Sequence, residues 1–188
     1  MRWGFLFAAL LLFYPVLVYL GINHFEPRVL ALVLMVLALT RLLLIPGKAS
    51  GRAGPQVLAA LAVALLIGVL SFVSNSVGFL LYYPVCMNLL MFLIFVASLL
   101  RPPSMIERFA RLTEPNLPDE GVRYTRQVTK VWCIFFIING SIALYSSVAA
   151  SMAFWTLYNG GIAYLLMAAL FSGEYVFRAW WRRRHGAG

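Results

Sequence analysis

Residues 78–100 read GFLLYYPVCMNLLMFLIFVASLL, a run without a single charged side chain. A helix of this length covers the ~30 Å hydrocarbon core of a bilayer at ~1.5 Å per residue. Leu, Met, Phe and Ala fill it without strict period-two alternation, so a helix is favoured over a barrel strand. At Arg101 the run stops abruptly, and RPPSMIERFARLTEP (101–115) follows, dense in charge and proline. That junction, an apolar rod meeting a basic polar segment, sets the reading of the whole chain.

Working outward, five further apolar runs appear at residues 4–20, 29–45, 57–73, 131–148 and 154–177. Of the 188 residues, 63% are hydrophobic and 11% charged, where a soluble domain carries about 25% charged residues. Mean hydropathy is +0.89. Only helices or closed barrels satisfy backbone polar groups in lipid. The expectation is therefore an all-α polytopic bundle of six transmembrane helices forming one domain, 1–188. The first run exceeds the usual ~7–15 residues of a signal-peptide core, and no small-x-small cleavage site follows it. It is expected to stay as a helix.

Of the 15 basic residues, only Arg28 falls in an outer loop if the N-terminus is cytoplasmic. Arg2, Arg41, Lys48, Arg52, Arg101, Arg108, Arg111, Arg123, Arg126, Lys130, Arg178, Arg182, Arg183 and Arg184 all fall inside. This positive-inside pattern places both termini in the cytoplasm. The net charge of +9 then belongs to juxtamembrane positions facing anionic headgroups, and nucleic acid is not an expected partner. The partners expected are membrane lipids. Cys86 and Cys133 lie in different runs and read as packing residues.

The outer loops are short, so the inner segment 101–130 is the one with room for a soluble-side role. Ser104 and Glu107 have capping-box spacing. Met105, Ile106, Phe109 and Leu112 recur on one helical face, which predicts a short amphipathic helix lying on the inner leaflet. Pro118, Asp119 and Glu120 suit the start of another helix, running through Arg123, Arg126 and Lys130 into the fifth span. Arg108, Arg111, Arg123 and Arg126 form a candidate surface for headgroups or for an acidic partner.

No phosphate loop, HExxH, GxSxG or CxxC is present, and His24 and His185 lack the neighbours of a catalytic set. No catalytic, cofactor or metal site is expected. Polar residues inside spans are costly and tend to face the bundle interior. Asn88, Asn139, Asn159 and Glu174 make a candidate intramembrane cluster, either bonding helix to helix or lining a cavity. Glu174 precedes Arg178 by four, the favourable order for an ion pair. Tyr82, Tyr83, Trp155 and Tyr158 read as an outer aromatic belt, with Trp3, Trp180 and Trp181 at the inner edge.

The segments FYPVLVYLG (13–21), 82–147 and FWTLYNGGIAYLLMAALFSGEYVFR (154–178) carry a resemblance. The chain resembles small bacterial inner-membrane proteins encoded among the ketosynthases, acyl carrier proteins and acyltransferases of aryl-polyene-type pathways. It is more distantly similar to the intracellular septation protein A family, through the proline in an aromatic first span, "IER" after the fourth, Trp132 with Phe135 and Phe136, Gly140 and Trp155. It departs from that family at Ala143 and Asn159. The resemblance implies a non-enzymatic accessory of envelope lipid or aryl-polyene assembly. That accessory would dock an acyl carrier protein or acyltransferase at the inner leaflet. A small lipid-moving transporter and a septation scaffold are the alternatives.

Overall fold

The computed structural model describes residues 14–22, 24–43 and 55–185, and among them every regular element is helical. In chain order these are α1 (Tyr14–Ile22), α2 (Pro27–Leu43), α3 (Pro55–Ser74), α4 (Gly78–Leu81), α5 (Tyr83–Leu100), α6 (Met105–Thr113), α7 (Asp119–Val148) and α8 (Met152–Leu157). A π-helical turn, Tyr158–Ile162, joins α8 to α9 (Ala163–His185). Four stretches are long and apolar enough to cross a membrane: Gln56–Ser74, Gly78–Leu100, Asp119–Val148 and Met152–Tyr175. The first expected span, 4–20, is described only from Tyr14, and α2 supplies 17 residues of the second. Arg2, Trp3, Lys48 and Arg52 lie outside the described residues, as do the side chains of Trp180, Trp181, Arg182, Arg183 and Arg184.

The surface agrees with a lipid solvent. Leu89 and Leu93 on α5, Ile134 and Ile138 on α7, and Leu165 on α9 are all exposed. Apolar faces of this extent are rare on water-soluble monomers. This is a helical membrane protein.

α2 and α3 pair closely along a seam of Ala31, Leu34 and Ala38 against Leu61, Ala64 and Ile67. Gly68 permits the approach, since a Cβ there would come within 2.5 Å of Met35 Cγ. α3 ends with Asn75 at φ 49° and the Ser76 N–H donating to Ser71 O at 3.2 Å, a left-handed helix stop. Ser71 Oγ closes the same turn by donating to Ser76 O at 2.6 Å.

The run 78–100 is two helices, because Pro84 lacks an N–H and interrupts the ladder. Beside the break the Leu81 carbonyl is taken by side chains from α7 and α8. Trp155 Nε1 donates to it at 3.1 Å and Ser147 Oγ at 2.9 Å. Trp155 is fully buried in the core that also holds Val18, Leu34 and Leu80. A second core lies nearer the other end, where Phe95, Trp132, Cys133 and Phe136 pack with Met105. Phe95 meets Phe136 edge-on at 5.1 Å, and Trp132 lies 4.5 Å from Phe171.

At 30 residues α7 is about 45 Å long, well beyond the hydrocarbon thickness. Its N-terminal third is clasped by α6. Ile106 N–H donates to Thr129 Oγ1 of α7 at 3.3 Å, while Met105 N–H ties α6 to α5 by donating to Ser98 Oγ at 2.9 Å. Met105, Glu107 and Ala110 are the buried residues of α6, while Phe109 and Leu112 are 55% and 80% exposed. The expected apolar face is thus divided, with Met105 held by the bundle and the other end of the stripe pointing off it. Glu107 is buried because it is consumed locally: it accepts from Ser104 N–H at 3.3 Å and pairs with Arg111 at 2.9 Å. Ser104 Oγ is buried without a hydrogen-bond partner.

Removing the indole donor tests the repair of the α4–α5 break. Trp155→Phe should cost about 1–3 kcal/mol through the lost bond and lost volume. Ser147→Ala should cost less, about 0.5–1 kcal/mol. Denaturant unfolding in mixed micelles measures both.

Candidate functional site

Between the two cores lies a half-open cavity of about 380 Å³, within the roughly 300–1,000 Å³ of small-molecule sites. Its wall draws on α1, α3, α5, α7, the π turn and α9. Asn88, Asn139 and Asn159 all line it. Three of the four residues of the expected intramembrane cluster therefore meet at one place. Glu174 does not join them. It sits 15 residues beyond Asn159, about 22 Å along a helix, half-buried and engaged elsewhere. The expected pair with Arg178 falls on a side chain outside the described residues.

The asparagines are held by a relay. Tyr158 OH donates to Asn139 Oδ1 at 2.8 Å, Asn139 Nδ2 to Asn88 Oδ1 at 2.9 Å, and Asn88 Nδ2 to Pro84 O at 2.9 Å. The chain thus bonds the π turn to α7, α7 to α5, and ends on the carbonyl of Pro84, just past the break. Gly140 lets α5 and α7 come this close, as a Cβ there would stand 3.1 Å from Asn88 Cβ. A second branch fixes Asn159, whose Nδ2 donates to Ser146 Oγ at 3.0 Å and to Trp155 O at 2.9 Å.

The π turn explains how neighbouring residues can both reach inward. Tyr158 and Asn159 are each buried, at 5% and 4% exposure, though an α-helix would aim them about 100° apart. The wider turn bulges, and bulges of this type recur at functional sites. Gly160 within it lies against α1, where a Cβ would meet Val16 Cγ2 at 3.2 Å.

Two residues assigned to the outer aromatic belt belong here instead. Trp155 and Tyr158 are buried, and their polar ends bond inside the bundle rather than at an interface. Tyr82 remains exposed, while Tyr83 lines the cavity with Tyr164. Spacing did not single out Tyr158, Ser146 or Ser147. The one signal for them was that small polar and aromatic residues lie one or two turns from each expected amide.

Of the basic surface, Arg108, Arg123 and Arg126 are exposed. Arg111 is not available in the same way, since Glu107 holds it and its Nη1 donates to Pro115 O at 3.0 Å. Arg108 Nε donates to Pro103 O at 2.9 Å. Among the described residues no group of His, Cys, Asp and Glu could hold a metal ion. No family model, curated protein or solved structure matches the chain.

The relay predicts an order of losses. Asn139→Leu strands both the Tyr158 hydroxyl and Asn88 Oδ1 and should cost about 1–3 kcal/mol. Tyr158→Phe removes one donor and should cost about 0.5–1.5 kcal/mol. Thermal unfolding in detergent ranks the two.

Proposed function

We propose that this chain is a six-span protein of the bacterial inner membrane, with both termini cytoplasmic, that holds one lipid-like chain inside its bundle during envelope lipid or aryl-polyene assembly. One observation carries the reading: three asparagines from three separate elements converge on a single intramembrane cavity. The amides bond helix to helix at the close α5–α7 approach, and the same three side chains line the cavity. Glue alone does not require a cavity, and here one opens beside the amides, lined also by methionines that adapt to an irregular chain. The placement of 14 of 15 basic residues on one side of the six runs supports the topology. Phe109 and Leu112, projecting from α6 beside Arg108, suit insertion at the inner-leaflet boundary.

Filling the cavity tests the reading. In protein released gently from native membranes, native mass spectrometry should find one retained lipid-sized adduct. Met91→Trp should reduce it at least about fivefold. A wild-type chain without an adduct, or an adduct indifferent to Met91→Trp, overturns the reading.

A second role rests on the exposed Arg123 and Arg126 of α7 and Arg108 of α6. These guanidinium groups would steer an acidic acyl carrier protein, or an acyltransferase, to the membrane. Arg108→Glu, Arg123→Glu and Arg126→Glu combined should abolish co-purification of such a partner. Unchanged recovery removes the docking role and leaves the cavity reading intact.

A further inference from the structure

Resting on the cavity reading, we infer the ligand's headgroup: the site takes a long-chain molecule whose polar end is uncharged and can both donate and accept a hydrogen bond, a hydroxyl or a carboxamide. The first argument is charge. Among the described residues the cavity wall has no Asp, Glu, Lys, Arg or His; its polar members are three asparagines and two tyrosines. An ionised headgroup buried there would face amides and phenols alone, and an uncompensated charge in an apolar interior is strongly disfavoured. A phosphate, sulfonate or free carboxylate is therefore a poor fit. So is a quaternary ammonium, for which Tyr83, Tyr164 and Phe136 supply rings but no carboxylate.

The second argument is the unused hydrogen-bonding capacity. A primary amide has two N–H donors and a carbonyl with two lone pairs. Asn159 commits both N–H groups, to Ser146 Oγ and Trp155 O, and its Oδ1 remains as an acceptor. Asn88 commits one N–H to Pro84 O, and Asn139 commits one to Asn88 Oδ1. Each keeps a second N–H. The amides that line the cavity thus retain unspent donors on α5 and α7 and an unspent acceptor on the π turn. A ketone or ester engages only the donors, whereas a hydroxyl or carboxamide engages both sides. The rest of the wall suits a chain: Met87 and Met91 lie one turn apart on α5, and Met167 on α9 lines the same space.

The test uses the full chain in nanodiscs with photoreactive hexadecyl diazirine probes. The probes are identical except for their ends: hydroxyl, carboxamide, sulfonate, trimethylammonium or plain methyl. Labelling is read by mass spectrometry on peptides covering residues 83–91 and 163–167. The hydroxyl and carboxamide probes should label these peptides at least about tenfold more than the other three. Asn159→Leu should erase that preference, and the wild-type ranking decides the matter even if this variant folds poorly. Equal or stronger labelling by a charged or methyl-ended probe overturns the headgroup assignment while leaving an occupied cavity. No labelling of these peptides by any probe overturns the assignment and the cavity reading together.

Discussion

An amide side chain in the middle of a bilayer has no water to bond, and that constraint organises this protein. Asn139 meets it by accepting from Tyr158 and donating to Asn88. The three side chains belong to α7, the π turn and α5, elements far apart in sequence. Neither the close approach at Gly140 nor the bulge at Tyr158–Ile162 has an obvious purpose without that relay. With it, each is the geometry needed to bring a polar atom within about 3 Å of its partner. Interhelical bonds of this kind average well under 2 kcal/mol in membranes. Their larger effect here is to specify which helix faces meet.

Backbone defects follow the same logic. Pro84 breaks the run 78–100, and the exposed Leu81 carbonyl is taken up by Trp155 and Ser147. The π turn, a second irregularity, lines the same cavity as Tyr83 and Pro84. Regular helices packed side by side would close the space between the two aromatic and aliphatic cores. The two irregular segments border the cavity, and the relay bonds run along its wall. Cavity and hydrogen bonds are one feature seen twice.

Much of the architecture was legible from residues alone. Long apolar runs, and the break at Arg101 and the two prolines after it, located the four described helices that are long enough to cross a membrane, because hydrocarbon tolerates little else. The continuous α7 was foreshadowed by Pro118, Asp119 and Glu120 ahead of an uninterrupted helical stretch. Asn88, Asn139 and Asn159 stand out by their cost in lipid, and they do converge. Trp155 and Tyr158 were not legible, since an aromatic near a span's end has the same composition whether it faces headgroups or a neighbour's carbonyl. Glu107 escapes the pattern for a related reason. Its bond from the Ser104 N–H is the contact that capping-box spacing anticipates, and Arg111 stands four residues on; what hydrophobic periodicity does not encode is that the pair is packed against the bundle. Arg111, expected on an open basic surface, is drawn inward by the same pairing.

The sharpest single check is a double-mutant cycle on Asn88→Ala and Asn139→Ala, read by reversible unfolding in micelles. If these amides bond directly and hold the chamber, the two losses should be coupled by about 0.5–1.5 kcal/mol. Losses that simply add, within a few tenths of a kcal/mol, would mean that the amides act independently and that no relay holds the chamber open.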